Sequence, residues 1–438
     1  MKLKTSLNSK LFNIINIQSI LLVSLPFLLI TGPLLSDLAV SLISILFLIK
    51  MCKDKKFSLI DDNFFKLFFI FWIYLLINSL LQYQNFDSLK ISFFYIRFGL
   101  FVYATILILN ENIKVLEYFF LSLLICFLIL ICDGFFQFFT DKNFFGFPLK
   151  EGPRVSSLFG DEQILGSYLS RLFPILFGLF LIFKNKFKDN IFYTIIISIF
   201  ILSEVLVLLS GERTAFFFMN LSIIFMFIFL KNFKKTRLLA FTLSVVAIIF
   251  IFQNSPNVKN RMINLTIEQL DLKSYFQKPS EKKIIIFSSH HNGHYQTAIN
   301  MFYDNKFFGV GVKNFRKRCS DTKYSTSDVS CSTHPHNSYI QLLSETGLVG
   351  FMFLVILLSI FIIINFKHLS LLYFKKKYLL NDFQICLMSA ILITIWPLAP
   401  TGNFFNNWLS IIYYLPVGIF LWSINNNQNI FLSLQKEK

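Results

Sequence analysis

NSYIQLLSETGLVGFMFLVILLSIFIIIN, residues 337–365, is the stretch on which the fold turns. From Leu348 to Ile364 its only polar side chain is Ser359, and a helix of about 20 such residues crosses the ~30 Å hydrocarbon core of a bilayer. The first part is different. Asn337, Gln341, Ser344 and Glu345 recur at i, i+4, i+7 and i+8, which puts them on one helical face. A polar face is costly in lipid and usually lines a cavity. Just upstream, Pro335 suits the first turn of a helix, where its missing N–H costs nothing, so the helix is expected to start there. Its free N–H groups would then lie beneath His334 and His336, favouring an anion.

The rest of the chain repeats this apolar pattern. It has 438 residues, 55% hydrophobic and 15% charged, including 58 Phe, with a mean hydropathy of +0.63. That composition excludes an ordinary soluble enzyme and reads as an integral membrane protein. Twelve spans are predicted, near 11–31, 34–51, 64–81, 89–110, 115–137, 163–183, 190–209, 214–230, 236–253, 337–365, 382–399 and 406–424. The fold class expected is an all-α polytopic membrane protein, with nine spans in 1–253, one large loop in 254–336 and three spans in 337–438. The first apolar run, Leu11 to Ile30, lacks a small-residue cleavage site and is expected to remain as a span.

The net charge of +17 would suggest a nucleic-acid partner in a soluble protein. Here most Lys and Arg fall between spans, which makes orientation the better explanation and leaves no nucleic-acid partner expected. Positive clusters occupy alternate connections: Lys50, Lys53, Lys55, Lys56 and Lys66; Lys184, Lys186 and Lys188; Lys231, Lys234, Lys235 and Arg237; Lys367, Lys375, Lys376 and Lys377. These are expected on the cytoplasmic side, together with Lys2, Lys4 and Lys10 before the first span and Lys436 and Lys438 after the last. The loop 254–336 is then expected outside the cytoplasmic membrane, although it carries 12 Lys and Arg against 6 Asp and Glu. Long loops translocate largely regardless of charge.

Five of the six histidines, His290, His291, His294, His334 and His336, fall in that loop. So do Cys319 and Cys331, which are expected to pair in a compartment that tolerates disulfides. Imidazoles can hold zinc, but the histidine spacing matches no recognised zinc pattern and no metal is expected. Arg97 and Arg171 lie inside predicted spans, with Asp133 and Glu204 as possible partners.

The segment His334-Pro-His336-Asn337 running into Glu345-Thr-Gly347-Leu-Val-Gly350 resembles the best mark of the O-antigen ligase and polymerase superfamily of bacterial envelope glycosyltransferases. Phe308-Gly-Val-Gly-Val-Lys-Asn-Phe315 looks like that family's Gly-Val-Gly turn, Ser210-Gly-Glu-Arg213-Thr-Ala its Ser-Gly-x-Arg element, and Arg154 to Gly166 a segment preceding a span. The resemblance centres on about 195–365.

It implies transfer of a glycan from an undecaprenyl diphosphate carrier to a hydroxyl acceptor, at the periplasmic face of the bacterial inner membrane, without cofactor, nucleotide or metal. His336 is then the expected base, since histidine's ordinary pKa of about 6.5 leaves its neutral form available at pH 7. Arg213 is expected on the diphosphate, where a guanidinium binds phosphate bidentately. Arg154, His334, Asn337 and Glu345 are expected to bind or orient substrate, His334 orienting more than acting. Where many relatives carry a loop Arg followed four residues later by Trp, this chain has His291 and Tyr295, so His291, His294 and Tyr295 are candidates to complete the phosphate site. The ligase, which joins a glycan to lipid A-core, and the polymerase, which lengthens a growing glycan, share these marks. A protein O-oligosaccharyltransferase and a non-enzymatic transporter are the remaining alternatives.

Overall fold

The computed structural model describes residues 14–55, 57–82, 86–149, 154–270 and 288–426. Lys56 and the terminal lysines Lys2, Lys4, Lys10, Lys436 and Lys438 lie outside the described residues. The architecture is all-helical, and an isolated antiparallel bridge joins Lys142 to Pro148. Among the described residues, nine helices are long and apolar enough to cross a membrane, and three shorter apolar helices, Ile14–Ile30, Arg213–Phe229 and Asp382–Ile395, fall at the other expected positions. The protein is a multi-pass membrane protein. Many of these helices leave large apolar side chains such as Leu34, Ile70, Phe250 and Ile363 exposed, as expected of surfaces that meet lipid instead of water.

Helices that bury most of their surface form the centre. Leu165–Ile182 packs on Asp382–Ile395 and on Arg213–Phe229, and Asn407–Asn425 packs on Ile96–Glu111. The long connection after Asn254 is largely folded. Its Ser289–Asp304 helix packs against the Ser338–Lys375 helix, so the loop histidines sit over the start of the helix that opened the sequence reading.

That helix departs from expectation at both ends. It begins at Ser338, after Asn337 as N-cap, and Pro335 lies before it in non-helical chain. Asn337 wins because its side-chain oxygen accepts from the N–H groups of Tyr339 and Ile340 (3.0 and 3.1 Å). The helix then runs on to Lys375 but breaks at Gly347, whose φ of 62° only glycine adopts without penalty. The break frees backbone groups that the loop captures. Val310 N–H donates to the Ser344 carbonyl (2.9 Å), Gly311 N–H to the Glu345 carbonyl (2.8 Å), and Leu348 N–H to the Lys306 carbonyl (2.8 Å). A side chain at Gly347 would collide with the Phe307 carbonyl, and one at Gly309 with the Ser344–Glu345 backbone. The two glycine-containing motifs are thus halves of one joint.

The intramembrane charges also find partners other than those expected. Arg97 pairs with Asp37 through Nε and Nη2 (2.9 and 2.7 Å). Asp133 accepts from Ser157 Oγ and from Phe144 N–H, and Glu204 accepts from Ser244 Oγ (2.6 Å). Arg171, 4% exposed, lays its guanidinium over the rings of Phe218 and Tyr413 at 4.9 and 5.3 Å. Arg237 is buried and closes the end of the Arg213–Phe229 helix by donating to the carbonyls of Met226 and Leu230, a cap that suits the negative end of the helix dipole.

Candidate functional site

Four imidazoles converge at the start of the Ser338 helix. His336 lies with its ring centroid 4.1 Å from His334, 5.4 Å from His294 and 5.5 Å from His291. His291 and His294 come from the first turns of the Ser289–Asp304 helix, capped by Ser288, whose hydroxyl also meets His291 Nδ1 at 2.7 Å. His290 is exposed. Among the described residues no group of three or more His, Cys, Asp or Glu is arranged to hold a metal ion.

His336 has a left-handed backbone (φ 58°), which costs a non-glycine residue on the order of 1–3 kcal/mol and persists only where surroundings fix it. Here its carbonyl accepts from Thr401 N–H (2.8 Å) and its Nε2 meets Ser332 Oγ at 3.0 Å. His334 is held between Thr333 Oγ1 (2.9 Å) and the Thr401 carbonyl (3.2 Å). Asn337 donates to the carbonyls of Pro397 and Ala399 (2.8 and 3.2 Å). The 397–403 loop therefore clamps all three residues of the motif. It carried no signal in the sequence beyond its Pro and Gly content.

A cavity of about 310 Å³ opens beside the imidazoles, lined by Arg213, Phe217, Thr266, Gln269, His291 and Ala399 among others. Arg213 is aimed by Thr266 Oγ1 and Gln269 Oε1, which accept from Nη1 and Nη2 (3.0 and 2.7 Å). The preceding residues of its motif are a hub. Arg154 Nε donates to the Ser210 carbonyl (3.2 Å) and Arg261 Nε to that of Gly211 (3.4 Å). Glu212 accepts from the N–H groups of Gly166 and Ser167 (2.6 and 3.1 Å), closing the N-terminus of the Leu165–Ile182 helix. Arg154 and Arg213 thus meet at one motif, and Arg261, which the sequence reading missed, joins them.

Glu345 belongs to a different layer. Fully buried, it accepts from Gln341 Nε2 (3.0 Å) and Phe315 N–H (3.1 Å), while Gln341 also engages Asn403 and Phe404. Tyr295 is 5% exposed and packs 6.1 Å from the His291 ring. Cys319 and Cys331 are bonded, with Cα atoms 5.1 Å apart, and the bridge ends one residue before the Ser332 that touches His336.

Crowding controls the protonation of this cluster. Burial, and then the neighbouring His294, push His336 down to about 4. His291 falls to about 4 through burial, His336, His294 and Arg213, and His334 to about 3 through burial and His336. His294 is also lowered, chiefly by burial, against a hydrogen bond to the Cys331 backbone. The site therefore holds neutral imidazoles beside a fixed guanidinium, an arrangement that gains from an anion.

Residues 196–355 match the family model described as O-antigen ligase. The matched stretch contains Arg213, the histidines and the interlocked glycines. The match supports the resemblance to the O-antigen ligase and polymerase superfamily over those residues. No curated protein matches it.

Proposed function

We propose that the chain is an O-antigen ligase that transfers a glycan from undecaprenyl diphosphate to a hydroxyl of lipid A-core, with the histidine end facing the periplasm of a bacterial inner membrane. The observation that carries this reading is the cavity walled by Arg213 and His291, with His336 packed against that wall. Donor diphosphate would enter against Arg213, placing its anomeric carbon near His336. His336 would take the acceptor's hydroxyl proton as the new glycosidic bond forms and the bond to the diphosphate breaks on the opposite face. The configuration at that carbon would invert, undecaprenyl diphosphate would leave paired with Arg213, and the proton would pass from His336 to water.

The depressed His336 also supports an order of events. With its pKa at about 4, the imidazole is a weak proton acceptor. A bound diphosphate, by favouring the charged form, would raise its basicity where it is needed.

The test is a lipopolysaccharide gel with analysis of lipid-linked glycan, on cells lacking the gene and complemented with wild type or His336→Ala. Bare core with long glycan accumulating on the carrier is the expected result for the null and for His336→Ala. Core capped by a single repeat would assign the polymerase reaction instead. An unchanged pattern, with the variant present at normal abundance, would overturn the reading in favour of protein glycosylation or transport.

A further inference from the structure

The Leu165–Ile182 and Arg213–Phe229 helices start together at the Arg213 motif, and beyond their other ends the chain encloses a cavity of about 730 Å³. Four lysines line it, Lys184, Lys231, Lys234 and Lys235, and among the described residues no carboxylate does. Two of the ammonium groups are held by rings. Lys184 Nζ lies 5.4, 5.5 and 5.9 Å from the ring centres of Phe233, Tyr193 and Phe192, and Lys231 Nζ lies 4.8 Å from that of Tyr378, distances at which a ring face attracts a cation. Two acids stand nearby. Asp189 pairs with Lys184 at 3.4 Å, and Asp382 accepts from the backbone N–H groups of Lys231 and Asn232 (3.0 and 3.2 Å). The Asn232 carbonyl also accepts from Arg237 Nη2 (3.0 Å), so the backbone that carries these lysines is fixed from two sides.

What continues from the cations decides which anion suits them. Lys235, Leu239, Leu243, Val246 and Phe250 recur at i, i+4, i+8, i+11 and i+15 of the Lys234–Asn254 helix, which sets them on one stripe. All five are exposed. From Leu239 to Phe250 the helix rises ~16 Å, about the hydrocarbon depth of one leaflet, half of the ~30 Å core. A free phosphate would use the lysines and gain nothing from the stripe. An amphiphile with its charged head among the lysines and its chains along the stripe uses both.

We propose that this cavity binds an anionic phospholipid of the adjoining leaflet, its phosphodiester among Lys231, Lys234 and Lys235 and its acyl chains along Leu239 to Phe250. The positive-inside pattern makes that leaflet the cytoplasmic one, where anionic lipids attract basic segments and basic pockets between helices take phospholipid heads. The bound lipid ties the connection after Ile182 to the start of the Lys234 helix. The site depends on the bilayer and not on the transferase reading.

The experiment is native mass spectrometry of the full chain released from nanodiscs of phosphatidylcholine containing a graded share of phosphatidylglycerol. Wild type is expected to retain phosphatidylglycerol in preference to phosphatidylcholine. A lysine near an anionic surface contributes about fivefold in affinity, so Lys234→Gln combined with Lys235→Gln should weaken phosphatidylglycerol retention on the order of tenfold or more. Lys53→Gln combined with Lys55→Gln removes the same charge from exposed residues outside the cavity and should leave retention unchanged. Leu239→Ala combined with Leu243→Ala keeps every lysine, and should weaken retention severalfold, whereas glycerol phosphate added to wild type should not displace the lipid. Equal retention of both lipids, an equal loss in the control pair, retention indifferent to the stripe, or displacement by glycerol phosphate would overturn the proposal. A wild-type mass of two chains without lipid would give the stripe to a second copy and overturn it as well.

Discussion

Acidifying the free enzyme tests the assignment of His336 directly, because kcat/KM follows the protonation of groups in the unliganded site. An imidazole at the ordinary pKa of about 6.5 would lose roughly eightfold in neutral fraction between about pH 7 and 5.5. With His336 pushed down to about 4, the same step removes only ~3% of the neutral form. Wild-type kcat/KM should therefore stay flat across that interval and fall only near pH 4. His294→Ala removes a neighbour that both buries and repels the charged form, so its acid limb should move upward. Reconstituted protein, assayed by mass spectrometry of the product at several pH values, gives both curves. The cluster also bears on stability. Between the folded and ordinary values the unfolded chain binds more protons, so stability is full above about pH 6.5 and declines as pH falls toward 4. Each acid point thus needs a return to pH 7 to show that activity recovers. A wild-type limb centred near 6.5, unmoved in His294→Ala, would refute the reasoning.

Three further outcomes are expected. Arg213→Lys keeps the charge but loses the two-pronged tie to Thr266 and Gln269, so transfer should fall on the order of 100-fold, measured as initial rate at equal protein abundance. Asn337→Ala loses a helix cap worth ~1 kcal/mol and two bonds to the 397–399 carbonyls worth ~1 kcal/mol each; the apparent melting temperature should drop, and Asn337→Asp, which keeps the cap acceptor, should drop less. Gly347→Ala places a side chain against the Phe307 carbonyl at a positive φ, and protease sensitivity of the 305–320 segment should rise sharply; unchanged cleavage would show that the joint tolerates a Cβ.

What could be read in advance and what could not divides along a physical line. Apolar length is a local property, and among the described residues nine helices at expected positions are long and apolar enough to cross a bilayer, with three shorter apolar helices at the others. His334, His336, Asn337 and Arg213 were singled out by the motifs that resemble the superfamily. Partners were not. Asp37 stands 60 positions from Arg97, and rotation about the helix axis, which decides such a pairing, cannot be judged from sequence. Pro335 was expected in the first turn by propensity, yet a side chain that satisfies two orphan N–H groups outweighs a ring that merely fails to waste one. Glu345 illustrates the deeper limit. As part of a polar stripe it looked like a lining residue, and the stripe is real, but its carboxylate is consumed by Gln341 and Phe315. It holds the loop joint, so a polar face inside a membrane helix here builds the scaffold of the site while His291 lines the cavity. Sequence gives the inventory of such groups; only the backbone carbonyls of residues 397–401 and 344–345, which have no side-chain signature, decide which of them are spent on structure and which remain for substrate.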